Sequence, residues 1–251
     1  MITELYLKGR LRHGLSQEEA EAIDDAIDHV ITLEPREKLV TRGEKVEQSY
    51  YIIDGSMMRC IDDARGFRQI VGLQVPGDWV DLHSFPMKRL DHDVHALAAS
   101  RLAVFRHERL QKLIDDRPHL ARIMWFSTLL DAAMHREWIF RLGRLNAEGR
   151  IAHLICELLE RLRLVGRLEE SSFPFPLTQQ DFAEASGITT THANRTFRLL
   201  RERGLLDHDE NTREMTIIDE QSLRELGEFK PDYLYGEGAL HLNTAFADKP
   251  A

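Results

Sequence analysis

The stretch ITTTHANRTFRLLRERG, residues 188–204, decides how the C-terminal part of this chain folds. Its apolar residues Ala193, Phe197 and Leu200 recur at steps of four and three, so they share one face of a helix. Polar and basic residues occupy another face, and Gly187 stands directly before the stretch. A locally basic helix of this kind contrasts with the formal net charge of the whole chain, which is −9.

The residues before this stretch predict another helix and a tight turn. Thr178 precedes Asp181 by three positions, and that spacing is typical of a capping box at a helix start. Gly187 follows, and glycine permits the backbone geometry of a sharp reversal between two helices. Thr189 or Thr190 can then cap the second helix by accepting hydrogen bonds from its free amides. Two capped helices around a glycine predict a helix-turn-helix.

The polar face of the second predicted helix suits DNA. Thr191, Asn194 and Arg195 share that face, and we predict that they read bases in the major groove. Arginine pairs bidentately with guanine, and asparagine does so with adenine. Six further residues are predicted to contact the DNA backbone, although the histidine among them can instead face the preceding helix: Thr178, Thr189, Thr190, His192, Arg198 and Arg201.

A hairpin follows the predicted helix-turn-helix. The sequence DHDENTREMTII, residues 207–218, predicts two short strands around turn-forming residues from Asp209 to Thr212. A hairpin in this position can act as a wing that contacts DNA. A solvated basic face on an ordinary surface helix is the simpler alternative, but the complete arrangement of two helices, turn and hairpin favours DNA binding.

The composition limits the classes of protein that this chain can belong to. Its 251 residues, 43% of them apolar, suffice for two domains with buried cores. The 42 acidic and 33 basic residues repel polyanions at long range, so DNA binding must come from a local patch. Cys60 and Cys156 form neither a disulfide framework nor a metal motif, which favours a reducing compartment. Since no signal peptide and no apolar run near ~20 residues is evident, we expect a cytoplasmic protein without a membrane partner.

The N-terminal half predicts one helix and then a strand-rich unit. Ser16 and Glu19 form a second capping-box pattern, which predicts a helix over about 17–30. From residue 31 to about residue 107, short apolar runs alternate with turns. Glycines separate these runs: Gly43, Gly55, Gly66 and Gly77. This pattern predicts antiparallel strands in a roll or barrel.

A long helix is predicted from Pro118, because no further glycine or proline occurs until Gly143. About seven turns exceed what a small domain can cover, so we predict that its apolar stripe packs on a second copy of the chain. The stripe can alternatively cover the barrel of its own chain. Its members are Leu120, Ile123, Leu130, Met134, Trp138, Leu142 and Leu145, while Trp125, Phe126 and Phe140 lie off this seam. A helix over about 147–164 follows.

Short motifs in a fixed order give the chain a resemblance to a known family. In the strand-rich half they are RGE at 42–44, YYIIDG at 50–55 and PGD at 76–78. In the C-terminal half they are LNAEGR at 145–150, LTQ at 177–179, Gly187 and NR at 194–195. Together they resemble the CRP/FNR family of bacterial transcription regulators, typified by the catabolite activator protein and the fumarate-nitrate regulator.

The resemblance implies an α+β fold in four parts. These are a cyclic-nucleotide-binding-like β-roll (double-stranded β-helix) for effector sensing with an N-terminal helix in 1–117, a long dimerisation helix in 118–145, a winged helix-turn-helix in 146–230 and a tail in 231–251. It also implies a homodimer on a near-palindromic operator in double-stranded DNA. RNA polymerase is a candidate partner, and a small molecule is a candidate effector. Thr191 stands where relatives carry glutamate, which leaves the operator sequence open.

The sensing pocket departs from the family's pattern. Cyclic-nucleotide binders in this family carry a Gly-Glu pair for the ribose and an Arg-Ser pair for the phosphate, where this chain has Asp81-Leu82 and His92-Asp93. An aspartate beside a phosphate is repulsive, so we do not expect cyclic AMP as a cofactor. Two cysteines are also too few for the four thiolates that usually hold an iron–sulfur cluster. The effector-pocket candidates are Asp81, Leu82, His83, Arg89, His92 and Asp93.

Two other functions stand as alternatives. Histidine and carboxylate are competent metal ligands, so the cluster of His83, His92, Asp93 and His95 can define a metal-binding, cupin-like enzyme. Residues three apart in a strand point to opposite faces, however, which favours an ordinary polar loop and no metal site. In the other alternative the chain is an effector-independent adaptor whose winged helix holds a protein partner. We expect a DNA-binding regulator and no enzyme.

Overall fold

The chain forms two units that are connected by one long helix. The computed structural model describes residues 1–10, 15–168, 172–174, 176–209 and 214–236. Among these residues, no helix is both long enough and apolar enough to cross a membrane. The part of the predicted hairpin turn after Asp209 and the part of the predicted tail after Gly236 lie outside the described residues.

The N-terminal unit is a roll of antiparallel strands, as the sequence predicts. The strands pair in the orders β1-β7-β3 and β2-β6-β4-β5. Gly55 forms the turn between β3 and β4 with φ +87°, and a Cβ there would lie 2.4 Å from the Ala99 carbonyl oxygen, so glycine is required. The strands are β1 (His29–Leu33), β2 (Lys38–Val40), β3 (Gln48–Asp54), β4 (Met57–Asp62), β5 (Arg68–Gln74), β6 (Asp93–Ala96) and β7 (Ser100–Arg106).

Three helices flank these strands: α1 (Gln17–Asp25), α2 (Ser84–Met87) and α3 (His107–Asp116). The capping box predicted at the start of α1 is confirmed, since the Ser16 hydroxyl accepts from the Glu19 amide at 3.2 Å and the Glu19 carboxylate accepts from the Ser16 amide at 3.0 Å. The predicted end of this helix near residue 30 is wrong. His29 already begins β1, which pairs with β7 along its whole length. Helices α2 and α3 were not predicted from the sequence.

The first ten residues pack between the roll and the long helix. Tyr6 is 2% exposed, its ring meets the Trp79 ring edge-on at 6.1 Å, and its hydroxyl lies 2.7 Å from the Ser127 hydroxyl on the long helix. Arg10 is also buried and donates to the Leu234 carbonyl at 3.1 Å. The N-terminal segment therefore contacts both units.

The long helix α4 (Pro118–Arg144) buries the predicted seam within its own chain. Leu120, Ile123 and Leu130 are 8% exposed or less and pack with the roll, while Trp138 packs with the C-terminal unit. Met134 and Leu142 are half-buried. These residues have little exposed surface left to contact a second copy of the chain. The predicted stripe therefore packs within its own chain, as the alternative interpretation of the sequence expects.

A different stripe of α4 faces outward. Trp125, Leu129 and Ile139 are 64%, 50% and 72% exposed. With Ala132 and Arg136 they follow steps of four, three, four and three, which is the heptad spacing of a helix-pairing seam. Trp125 was predicted to lie off the seam, because the other stripe of α4 has more apolar residues. That other stripe is the one that packs within the chain.

The C-terminal unit is built around the buried helix α5 (Ala147–Leu164), where the sequence predicts a helix. Its further elements are β8 (Ser172–Pro174), α6 (Gln179–Ser186), α7 (Thr190–Glu202), β9 (Leu206–Asp209), β10 (Glu214–Ile217), α8 (Glu220–Leu226) and a short 3₁₀ helix (Pro231–Leu234). Residues 231–236, which the sequence analysis assigned to a loose tail, pack here. Leu234 is fully buried, and the Tyr233 hydroxyl donates to the Glu157 carboxylate at 2.8 Å.

The two units are docked on each other. One apolar cluster contains Ile70 and Leu73 of the roll together with Phe182 of α6. Arg161 of α5 is 1% exposed and donates to the Leu73 carbonyl at 2.8 Å and to the Asp78 carboxylate at 2.5 Å. Apolar packing and buried polar contacts thus fix the C-terminal unit against the roll.

Candidate nucleic-acid interface

The first helix of the helix-turn-helix, α6, starts with the predicted capping box. The Thr178 hydroxyl accepts from the Asp181 amide at 3.2 Å, and the Asp181 carboxylate accepts from the Thr178 amide at 2.7 Å. Arg36 of the roll donates both Nη1 and Nη2 to Asp181 at 2.6 Å. Burial acts to raise the pKa of Asp181, but the hydrogen bonds from Arg36 and Thr178 outweigh it, so the pKa is lowered. Asp181 is therefore an ionised group that both caps α6 and ties it to the roll.

Two arginines from the helices behind α6 fix the turn. Gly187 has φ +62°, the left-handed conformation that the sequence predicts for this glycine. Arg141 donates to the Ala185 carbonyl at 2.9 Å, and Arg150 donates to the Ser186 carbonyl at 3.0 Å, which satisfies acceptors at the end of α6. Arg141 was not among the residues predicted from the sequence to be functional. The signal that was available is an arginine three residues after Trp138, in register with the buried stripe of α4.

The inner face of α7 packs on α6 as the sequence predicts. Ala193, Phe197 and Leu200 are 1% exposed or less, and the Phe197 ring lies 4.8 Å from the Phe182 ring. The Thr189 hydroxyl caps the helix by accepting from the His192 amide at 3.2 Å. This packing fixes the rotation of α7 and so decides which side chains face outward.

The outer face of α7 presents the three predicted base-reading residues together. Thr191, Asn194 and Arg195 are all exposed. Their side chains make no hydrogen bond or ion pair with the part of the chain that the structure describes. They lie near the N-terminus of a helix, where free amides and the helix dipole favour negative charge. The surface can therefore offer an amide, a guanidinium and a hydroxyl to base edges without breaking an internal contact.

The two arginines predicted to contact phosphate differ in their surroundings. Arg198 is exposed, and its Nε lies 3.7 Å from the Glu202 carboxylate. Arg201 donates to the Asp207 carboxylate at 2.9 Å and to the His208 carbonyl at 2.9 Å. Arg201 thus connects α7 to β9, and Arg198 is the freer of the two cations.

The other predicted backbone contacts lie around the starts of α6 and α7. Thr178 and Thr189 use their hydroxyls as helix caps, so these hydroxyls already have partners within the chain. Thr190 is exposed and His192 is half-buried. Thr190 and His192 therefore lie within the first turn of α7, next to the exposed residues Thr191 and Asn194.

The two strands of the predicted hairpin are confirmed and lie next to α7. Strands β9 and β10 pair from Leu206 with Ile217 to Asp209 with Glu214, and β8 joins the sheet at the other edge of β10. The His208 ring lies 5.4 Å from the Phe197 ring, so the hairpin packs on the inner face of α7.

Inside the roll, the main buried cation is already neutralised. Arg59 is 2% exposed and pairs with Asp131 of α4 at 2.9 and 2.7 Å. Its Nε and Nη2 both donate to the Val80 carbonyl, at 3.0 and 2.6 Å. Burial acts to raise the pKa of Asp131, but the charge of Arg59 outweighs it and keeps the pKa below its usual range.

The effector-pocket candidates on the first predicted pair have structural partners. Asp81 is fully buried and accepts from the Tyr50 amide at 2.8 Å and from the Ser84 hydroxyl at 3.1 Å. Burial raises the pKa of Asp81 to about 7. Leu82 belongs to the apolar cluster around Trp79. Neither side chain is free to hold a ribose.

The remaining candidates do not form one pocket. The rings of His83 and His92 lie 5.5 Å apart, and burial lowers the pKa of His83 to about 4. Arg89 donates to the Gly43 carbonyl at 2.8 Å, and Asp93 accepts from the Lys38 ammonium at 2.9 Å. Within the described residues, no three His, Cys, Asp or Glu side chains converge as a potential metal site.

Both cysteines are buried and free. Burial raises the pKa of the Cys60 thiol to about 11 and that of the Cys156 thiol to about 12. Both therefore remain protonated thiols near neutral pH, whereas a cluster or metal ligand is a thiolate.

Two family descriptions match the two units. Residues 30–117 match the cyclic nucleotide-binding domain, and residues 149–226 match the Crp-like helix-turn-helix domain. The chain is 28% identical over 176 residues to the transcriptional activator protein FnrL of Cereibacter sphaeroides, covering 67% of this chain and 68% of that protein. It is 28% identical over 166 residues to the nitrogen fixation regulation protein FixK of Bradyrhizobium diazoefficiens, covering 65% and 68% of the two chains.

Solved structures share the fold. FixK2 from Bradyrhizobium japonicum superposes with a TM-score of 0.72 at 21% identity, over 79% of this chain and 96% of that chain. A CRP/FNR-family transcriptional regulator from Thermus thermophilus gives a TM-score of 0.64 at 17% identity, over 80% and 99% of the two chains.

Proposed function

The chain belongs to the CRP/FNR family of DNA-binding transcription regulators, and we propose that it acts as a homodimer whose two α7 helices read one near-palindromic operator. It is a regulator and not an enzyme. The observation that carries the proposal is the exposed face of α7 with Thr191, Asn194 and Arg195, whose side chains keep their hydrogen-bonding groups free of other described residues.

The base-reading assignment follows from the chemistry of that face. Arg195 suits the O6 and N7 acceptors of guanine, and Asn194 suits the N6 and N7 groups of adenine. Arg198 and Thr190 lie at the edges of the same surface and suit phosphate oxygens, which fix position without reading sequence. Arg201 contributes mainly by orienting the wing, since Asp207 already occupies its guanidinium.

We assign the dimer contact to the outward stripe of α4. Trp125, Leu129 and Ile139 expose large apolar surfaces at heptad spacing, and isolated exposure on this scale is costly for a single chain in water. Pairing of two α4 helices would set two α7 helices into successive major grooves about 34 Å apart. The roll, through its contacts with α4, would then transmit the state of a small-molecule effector to the two recognition helices. Activation would add a contact with RNA polymerase.

One experiment tests operator binding and dimer formation together. Genomic fragments retained by the purified protein at fixed physiological salt are sequenced and footprinted, and we expect two inverted half-sites separated by one helical turn. Leu129→Glu should convert the protein to a monomer in light scattering and abolish the paired footprint. Phe67→Glu is the matched control, since Phe67 is 68% exposed but lies on the roll. A single unpaired half-site, or a dimer that survives Leu129→Glu, would contradict the proposal.

A further inference from the structure

Helix α6 is held at its start by the roll. Arg36 lies in the turn between β1 and β2, and its Nη1 and Nη2 donate to the two carboxylate oxygens of Asp181, each at 2.6 Å. The Asp181 side chain is 4% exposed, and that of Arg36 is 40% exposed. A bidentate arginine–carboxylate pair fixes the angle between its partners as well as their distance. The pair therefore orients the start of α6 relative to the roll.

The turn that carries Arg36 has an unfavourable backbone conformation at this residue. Arg36 has φ +72°, in the left-handed region that favours glycine. Its amide donates to the Ala96 carbonyl of β6 at 2.8 Å, so the turn is attached to the roll. A glycine would adopt this conformation with less strain, but it has no side chain that could reach α6. The contact with Asp181 gives a physical reason for an arginine at this position.

The end of α6 is held by a different part of the molecule. Arg141 of α4 donates to the Ala185 carbonyl at 2.9 Å, and Arg150 of α5 donates to the Ser186 carbonyl at 3.0 Å. A helix that is attached at one point can turn about that point, whereas two separated attachments fix its direction. The contact with Arg36 supplies the second attachment, at the opposite end of α6.

The direction of α6 decides the direction of α7. Asp181 directly precedes Phe182, whose ring lies 4.8 Å from the Phe197 ring of α7. Both rings belong to residues that are 1% exposed or less, so the two helices form one closely packed pair. The roll in turn is attached to α4 through the Arg59–Asp131 ion pair. A chain of contacts thus connects α7 to α4 by way of the roll.

We propose that Arg36 is a positioning residue for DNA recognition: it sets the pose of α7 relative to α4 and so determines which half-site spacing the protein accepts. Arg36 acts through Asp181 and does not read bases. The inference rests on the proposed function, because spacing matters only where two α7 helices bind one operator. Without the ion pair, α6 and α7 can turn about the end of α6. A wider range of spacings is then accepted at lower affinity, since the pose is no longer preorganised.

The DNA test compares affinity for three fragments: the selected operator, the same operator with one base pair inserted between its half-sites, and a single half-site. The insertion turns the second half-site by about 35°. We expect wild type to bind the inserted fragment at least about tenfold more weakly than the operator. Arg36→Ala should bind the operator at least about fivefold more weakly than wild type, lose most of this discrimination and bind the single half-site as wild type does. Wild-type discrimination in Arg36→Ala would overturn the positioning role.

Asp181→Asn tests the same contact from the side of α6. Asparagine keeps an oxygen that accepts from the Thr178 amide, but it lacks the charge that binds Arg36. We expect Asp181→Asn to reproduce the effect of Arg36→Ala on the three fragments. The double variant should lose no more operator affinity than either single variant, within about twofold. Losses that multiply in the double variant would show that the two residues act independently and would overturn the inference.

Lys38→Ala is the matched control. Lys38 lies two positions after Arg36, its side chain is 42% exposed, and its partner Asp93 belongs to the roll. We expect Lys38→Ala to behave as wild type on all three fragments. For Arg36→Ala, equal losses on all three fragments would indicate damage to α7 itself, and a salt slope reduced by about one ion would indicate a direct phosphate contact. Either result would overturn the positioning role.

A measurement without DNA separates this inference from the proposed function. Helix α6 is docked on β5, where Gln69 donates to the Glu184 carbonyl at 2.5 Å. Amide hydrogen exchange of the full-length protein should be at least about threefold faster in α6 and β5 of Arg36→Ala than in wild type or Lys38→Ala. Unchanged exchange in Arg36→Ala would overturn the role of Arg36 whatever the DNA result. Wild type that binds the operator and the single half-site equally would overturn the proposed function instead.

Discussion

The polar side chains on the outer face of α7 and those inside the roll differ in their exposure and in their hydrogen-bond partners. On α7, Asn194 and Arg195 are exposed and their side chains have no partner among the described residues. In the roll, Arg59 is 2% exposed and bound to Asp131, and Asp81 is fully buried with two hydrogen-bond donors around it. Both regions contain an arginine, but only the arginine on α7 is available to bind a second molecule.

This difference indicates where the protein can meet an anion. A guanidinium in solvent can pair with a base edge or a phosphate at little cost in internal contacts. A buried guanidinium that already has a carboxylate partner must first lose that partner, and the loss of one member of such a pair is strongly unfavourable. We therefore propose that the roll has kept its architecture while its polar interior serves folding, and that anion recognition belongs to α7.

The largest expected effect concerns Asp81 in the roll. Burial raises its pKa from 3.8 to about 7, so the folded state keeps a proton that the unfolded state releases. Stability therefore falls as pH rises from about 4 to about 7, and each pKa unit corresponds to about 1.4 kcal/mol. Asp81→Asn, which retains an acceptor for Tyr50 and a donor for Ser84, should match wild type near pH 4 and exceed it by on the order of 4 kcal/mol at pH 8.

Urea unfolding of both proteins across this pH range measures the effect as a difference. Taking the difference is necessary because burial lowers the pKa values of His83 and His107 to about 4, and those groups make stability rise with pH between about 4 and 6.5. Both histidines are retained in Asp81→Asn, so the difference between the two proteins reports mainly on Asp81. Parallel stability curves for wild type and Asp81→Asn would show that Asp81 is ionised in the folded roll.

The next effect concerns the buried ion pair between the roll and α4. Asp131→Ala leaves Arg59 buried without a counter-charge and should cost about 3 kcal/mol of unfolding free energy. Asp62→Ala removes the partner of Arg68 on the surface and should cost less than about 1 kcal/mol. Chemical denaturation of the two variants gives the comparison. If their losses are equal, the roll interior is not organised around the Arg59–Asp131 pair.

A smaller effect separates the two outer arginines of α7. Arg198→Ala should weaken binding about uniformly across DNA sequences and reduce the slope of affinity against salt by about one ion, as loss of one phosphate contact does. Arg201→Ala should change the slope less, because Asp207 already neutralises Arg201. Affinity measured over a series of salt concentrations tests both. The reverse order would assign the phosphate contact to Arg201, at the end of α7 next to the wing, rather than to Arg198.

Local sequence rules were sufficient for the helix-turn-helix. The capping residues Thr178 and Asp181 and the left-handed Gly187 depend on neighbours only a few positions away. The same holds for the apolar face of α7, since a helical period fixes which residues share a side. The residues around the candidate DNA surface could therefore be named before any tertiary contact was known.

Contacts between distant residues could not be predicted in this way. Arg59 and Asp131 are 72 positions apart, and neither carries a local signal of its partner. Which stripe of α4 is free to pair with a second copy also depends on which stripe packs within the chain. The more apolar stripe was therefore predicted to contact a second copy, whereas it packs against its own chain. Arg141 was missed because its role, binding the Ala185 carbonyl, exists only once α4 and α6 have packed.

The most direct test of the account compares Arg195→Ala with Arg65→Ala on two DNA fragments at one salt concentration. Arg65 is an exposed arginine at the hairpin tip of the roll and controls for the loss of one positive charge. We expect Arg195→Ala to lose about 1–3 kcal/mol of affinity for the selected operator and far less for a scrambled fragment, with Arg65→Ala unchanged on both. Unchanged operator affinity in Arg195→Ala, or an equal loss on both fragments, would contradict base reading by α7.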